Sequence, residues 1–114
     1  ILLASTCYGT EVGTASFYTE ASVRREGSSG IMANGQPLRD SRLTCASWDY
    51  PLHSWVRVTS VTSGKSVTCQ VADRGPARRL YRKGRRLDLS RASFKALAPL
   101  SKGVIWVEVE KISP

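Results

Sequence analysis

The sequence predicts a mainly β domain of short strands closed into a compact barrel. Three observations carry that expectation. First, Trp55-Val56-Arg57-Val58-Thr59-Ser60-Val61 and Ser66-Val67-Thr68-Cys69-Gln70-Val71-Ala72 are β-branched, partly alternating runs joined by Thr62-Ser63-Gly64-Lys65, the pattern of a hairpin. Second, the remaining apolar runs are short and separated by loops, not by helices long enough for βαβ crossovers. Third, only the segment after Ser90 carries a helix start and a helix stop.

Taken in order, Val12 to Tyr18 is an expected strand with Ala15 and Phe17 on one face. Glu20 to Leu38 is rich in Gly, Ser and Asn and is expected to be loop. Leu43 to Trp48 is expected to make a single helical turn. The hairpin follows, and then Arg85-Arg86-Leu87-Asp88-Leu89 as a short strand. Ser90 caps a helix running to about Leu97, with Phe94 and Leu97 inward and Pro99 ending it. Gly103 reopens the chain into the last strand, Val104 to Glu110. Trp55 and Trp106 lie in strands and are expected in the core.

At 114 residues the chain fits one domain with one core. Residues 1–11 read as an N-terminal tail or signal remnant and residues 12–114 as the folded domain. Ile1 to Cys7 fits the end of a secretory signal, with a lipid-modified Cys7 as the alternative. No apolar run approaches the ~20 residues a membrane helix needs.

The net charge is +8, and much of the excess lies between Arg78 and Lys95. Such a segment attracts anionic polymers, or is simply a solvated loop. No specific nucleic-acid motif accompanies it. The cysteines are Cys7, Cys45 and Cys69, with His53 the only histidine, so no metal site and no cofactor is expected. Cys45 and Cys69 either form a disulfide, worth about 3.5 kcal/mol for a loop of roughly 25 residues, or stay as two buried thiols. A disulfide implies an oxidising compartment.

Val71-Ala72-Asp73-Arg74-Gly75-Pro76 holds the chemistry. An apolar strand runs into one carboxylate, one guanidinium and a Gly-Pro turn, which places Asp73 on a rigid corner. The alternative is a plain turn with Asp73 bonded to its own backbone.

Together with Gly13-x-Ala15-Ser16-Phe17-Tyr18, Ala33-Asn34-Gly35, Val56-Arg57-Val58-Thr59, Leu87-Asp88-Leu89-Ser90 and Gly103-Val104, this motif resembles the RlpA-like (rare lipoprotein A) family, which is related to septal lytic transglycosylases and expansins. The resemblance implies a six-stranded double-psi β-barrel with one or two short helices. It also implies action on peptidoglycan or a related cell-wall polysaccharide, in a secreted, periplasmic or cell-envelope setting. Two positions depart from the family pattern. Gln36 of Gly35-Gln36-Pro37 stands where active members resemble Glu, and Ser47 of Cys45-Ala46-Ser47 stands where they resemble His.

Glycoside hydrolysis generally uses two carboxylates. A lytic transglycosylase (a lyase) needs one group that protonates the leaving oxygen and then takes the proton of the muramic acid 6-hydroxyl, a sequence Asp73 alone could perform. Asp73 is therefore the expected acid/base, with Tyr18, Gln36, Ser47, Trp48 and Arg74 as expected substrate contacts. Arg74 is expected to turn away from the acid, because strand neighbours face opposite sides. Asp88 is expected to be a structural acid bonded to backbone amides or to Arg74, and Asp49 is a minor candidate for a replacement acid. The rival function is a non-catalytic peptidoglycan-binding barrel that has lost its catalytic Glu and His. The domain is expected to be monomeric.

Overall fold

A computed structural model describes residues 10–113. Six strands close into one barrel: β1 (Glu11–Tyr18), β2 (Thr44–Ala46), β3 (Trp55–Ser60), β4 (Ser66–Asp73), β5 (Arg85–Ser90) and β6 (Ile105–Ile112). The order around the barrel is β1-β5-β2-β4-β3-β6. The β1/β5 and β2/β4 pairs are parallel, and the other four pairs are antiparallel. This is the double-psi arrangement, and closure leaves no open sheet edge among the described strands.

Alternation along the strands fills the barrel. Ala15, Val56, Val58, Cys69, Val71, Leu87, Leu89 and Val107 point inward and are fully buried. Phe94 and Leu97, from helix α3 (Arg91–Lys95) and the residues after it, plug one end, and the Phe17 ring packs on Phe94 at 4.8 Å between centroids. Ser90 caps α3 as expected, accepting from the Ser93 N–H. A smaller cluster of Met32, Leu38 and Ala72, covered by Tyr18 and Val23, pins the long loop against the outside of β4. One close approach demands glycine. A Cβ on Gly13 would strike Arg86 Cγ and lie 2.8 Å from the Gly84 carbonyl oxygen.

Four expectations need correction. Glu20–Arg25 is a helix (α1), not loop: Thr19 and Ser22 form a reciprocal capping box in which Ser22 takes the place usually held by Glu or Gln. The segment around Cys45 is strand β2, not a helical turn, because its partners on β4 and β5 settle its conformation. The basic run contains a short helix, α2 (Arg78–Arg82). Trp106 is 58% exposed, since the inward positions of β6 are taken by Val107 and Val109.

The Cys45–Cys69 bridge is not formed, and both are free, buried thiols. Cys45 is in register with Val71, two residues beyond Cys69, and both thiols point into the aliphatic core. A hydrogen bond with Cys69, and then burial, push the Cys45 thiol pKa well up. Cys7 lies outside the described residues, as does most of the expected tail.

Candidate functional site

The site is built on the outside of the barrel, where the end of β4 meets the ends of β1 and β2 and the middle of β5. Ala46 on β2 is in register with Asp73 on β4 on one side and with Asp88 on β5 on the other. Two carboxyl groups thus flank one small residue, and Tyr18 on β1 reaches across to them.

Three donors fix Asp73. The Tyr18 hydroxyl donates to Oδ2 at 3.0 Å, while the N–H groups of Ala33 and Arg74 donate to Oδ1, each at 2.9 Å. Backbone N–H groups can only donate, so Oδ1 is fully used as an acceptor. The Ala33 bond also explains Ala33-Asn34-Gly35: Asn34 N–H bonds the Ala72 carbonyl, and the loop closes over the acid. Burial, followed by the Asp73 charge and hydrogen bond and then the Asp88 charge, drives the Tyr18 hydroxyl pKa far up, so this phenol stays a donor.

Asp88 has a different environment. Ser16 donates to its Oδ1 at 3.1 Å, and Arg85 in turn donates to the Ser16 hydroxyl at 3.0 Å. Among the described residues no donor reaches Oδ2. Burial pushes the Asp88 pKa from 3.8 to about 6. The Ser16 hydrogen bond and Arg85 oppose the rise, while the charges of Glu26 and Asp73 add to it. Asp88 is thus a carboxyl tuned toward neutrality, and the firmly hydrogen-bonded Asp73 lies on the other side of Ala46 from it. The sequence predicts a structural acid at Asp88. It bonds Ser16 rather than backbone amides or Arg74, and the only signal in the chain is an acid between two leucines that both point inward.

The other expected site residues separate into two groups. Gln36 is exposed and lines an open cavity beside the loop that holds Asp73. Arg74 turns away from the carboxylate: its Nη1 donates to the carbonyls of Ser47 at 2.8 Å and Tyr50 at 2.6 Å, clamping the segment after β2. Ser47 is fully buried, and its hydroxyl accepts from the Asp49 N–H, so it shapes a turn. Trp48 donates its indole N–H to the Pro76 carbonyl at 2.7 Å, and the Arg78 guanidinium covers its ring at 3.7 Å. Asp49 is bound by the Tyr81 hydroxyl and lies 3.6 Å from Arg86, which ties it to α2. The structure therefore brings Tyr18 and Asp73 together with Asp88, and uses Ser47, Trp48 and Arg74 to brace the corner behind them.

Residues 10–109 match the family described as "Lytic transglycolase". The chain is 40% identical over 103 residues to the endolytic peptidoglycan transglycosylase RlpA of Pseudomonas aeruginosa, covering 90% of this chain and 28% of that protein. It is 38% identical over 104 residues to the protein of the same name from Rickettsia prowazekii, covering 90% and 30%. The chain thus spans less than a third of the length of either relative. Among solved structures, Streptomyces papain inhibitor superposes with a TM-score of 0.67 at 25% identity, covering 92% of this chain and 96% of that one. A mutant Clavibacter michiganensis expansin in complex with cellohexaose superposes with a TM-score of 0.66 at 21% identity, covering 92% and 51%, a likeness of fold.

Proposed function

The chain belongs to the lytic transglycolase family of double-psi barrels, and from that premise we propose that it cleaves peptidoglycan glycan strands by transglycosylation, with Asp73 and Asp88 sharing the proton transfers. The observation that carries this reading is the acid pair around Ala46, with Asp73 held by three donors that leave room on Oδ2 for one more, and Asp88 pushed up to about 6. The names of the relatives, endolytic peptidoglycan transglycosylases, support the substrate class.

In this mechanism Asp88 gives its proton to the glycosidic oxygen as the bond from the muramic acid anomeric carbon to that oxygen breaks. The muramic acid 6-hydroxyl then attacks the same carbon from within the sugar, its proton passes to Asp73, and a 1,6-anhydro ring closes. No water is consumed. The sequence predicts both roles for Asp73; in this reading Asp88 takes the donating one and Asp73 keeps the accepting one. The hydrogen bond from Tyr18 keeps the Asp73 carboxylate aimed and releases no proton of its own. Gln36 contributes an amide at the edge of the groove and transfers no proton.

The rival reading is a barrel that binds glycan without cleaving it. It is favoured by Gln36 and Ser47 standing where the resembling family carries Glu and His. Digestion of purified sacculi separates the two. Wild type is expected to release 1,6-anhydro-muropeptides, and Asp88→Asn and Asp73→Asn each to reduce them by about a hundredfold or more. Sacculus binding with no anhydro product from wild type would establish the binding module.

A further inference from the structure

The basic run between Arg78 and Lys95 does not fold into one patch. Strand β5, six residues long, separates α2 from α3 by about 17 Å, so Arg78, Arg79, Arg82 and Lys83 form a group apart from Arg91 and Lys95. The four side chains of that group are exposed. Among the described residues none of them is in an ion pair. Asp49 is the acid that reaches this helix, and it is already taken by the Tyr81 hydroxyl and by Arg86 at 3.6 Å.

This charge works against the helix that carries it. The first turn of α2 holds no acid, and its N-cap, Ala77, supplies no side-chain acceptor. Arg78 and Arg82 stand at i and i+4, as do Arg79 and Lys83, and like charges at that spacing repel on a helix surface. The region is nevertheless braced. Pro76, which leads into α2, accepts from the Trp48 indole, and Arg78 lies over the same ring. Arg86 lies over the Tyr81 ring at 4.1 Å and donates to the Tyr81 carbonyl at 2.9 Å. Cations that repel one another on a fixed support are preorganised for an external anion. The corner before α2 also packs on the acid site: a Cβ on Gly75 would lie 3.2 Å from the Ala46 Cβ.

We propose that the outer face of α2 is a docking surface for a flexible phosphodiester polymer, bound by Arg79, Arg82 and Lys83 next to the corner that carries Asp73. Arg79 stands one helical turn from Arg82 and Lys83, about 5–6 Å between Cβ atoms, so phosphates joined by a short polyol linker meet successive cations. Each phosphodiester keeps its charge and has two free oxygens, which a guanidinium takes as a pair. Two other polyanions fit the face less well. A membrane surface calls for apolar side chains that enter the lipid, and the exposed large ones, such as Val61, Val104 and Trp106, lie away from α2. Single-stranded nucleic acid calls for open aromatic faces on which bases stack, and Trp48 and Tyr81 each already carry a guanidinium. The docking surface stands independently of glycan cleavage.

The test is calorimetric titration of the folded protein, at low and rising salt, with four polyanions matched in accessible charge: poly(glycerol phosphate), oligothymidylate, polyglutamate and vesicles containing phosphatidylglycerol. Poly(glycerol phosphate) is expected to bind tightest. The triple variant Arg79→Gln, Arg82→Gln, Lys83→Gln is expected to lose about tenfold or more of that affinity at low salt. It is also expected to flatten the dependence of log K on log salt by about two, at about 0.7 for each lost phosphate contact. It should melt no lower than wild type, because both like-charge pairs go with the substitutions. A second triple variant, Arg91→Gln, Lys95→Gln, Lys102→Gln, removes the same charge from exposed positions off α2 and is expected to change the affinity by less than about twofold. Equal losses in the two variants would mean that net charge alone attracts the polymer and would overturn the proposal. Absence of poly(glycerol phosphate) binding, or binding of any of the other three polyanions as tightly or more tightly, overturns it as well.

Discussion

Replacing Asp88 by Asn should make the protein more stable at neutral pH, and the size of the gain follows from the site. The folded-state pKa of Asp88 lies near 6 against an ordinary 3.8, because burial penalises its charge more than Ser16 and Arg85 relieve it. Below about pH 4 both the folded and the unfolded chain hold the proton, and the favourable contribution is complete. Between about pH 4 and 6 the unfolded chain ionises while the folded one does not, so the contribution is lost as pH rises through the folded pKa. A shift of about two units at about 1.4 kcal/mol each gives about 3 kcal/mol. Asn removes the ionisation and keeps an oxygen to accept from Ser16. The variant should match wild type near pH 4 and lead it by about 2–3 kcal/mol at pH 7.5. That lead is roughly 10 °C in Tm for a chain of this size. Thermal melts of both proteins from pH 4 to 8 measure the difference, and subtracting the curves cancels every other titrating group. A variant that tracks wild type at all pH values, or melts lower at pH 7.5, refutes the desolvated acid.

Other consequences are equally concrete. Gly13→Ala should cost about 1–3 kcal/mol in denaturant melts, because its Cβ collides with Arg86 and the Gly84 carbonyl; an unchanged midpoint would show that the crossing is looser than described. Tyr18→Phe removes one of three donors to Asp73 and should lower stability by about 1 kcal/mol and turnover of sacculi by about tenfold, read from melts and product yields on the same preparation. Cys45 should resist thiol reagents in the native protein at pH 7.5 and react on unfolding, as followed by peptide mapping; rapid native labelling would contradict its burial and raised pKa.

The hairpin of β3 and β4 was legible because its signal is local: β-branched alternation and a Gly-containing turn need no distant partner. The α3 cap at Ser90 was legible for the same reason. Strand β2 was not, since its three residues are buried on every side and its conformation comes from parallel and antiparallel partners far along the chain. The position of Asp73 at the end of β4 was legible because the strand runs straight into a Gly-Pro corner. The chemistry of Asp88 was not. Its raised pKa depends on burial and on Ser16, which is 72 residues away. The bracing roles of Arg74 and Trp48 were likewise hidden, because the carbonyls they bind and the Arg78 that covers the indole are set by how the loops after β2 and β4 fold together.

The most direct test of two carboxyl groups closing an anhydro ring is digestion of sacculi in ¹⁸O-water, with the new chain ends weighed by mass spectrometry. Transglycosylation through Asp88 and Asp73 predicts 1,6-anhydro ends that carry no ¹⁸O. Reducing ends labelled with ¹⁸O would mean that water is the nucleophile and would contradict the account.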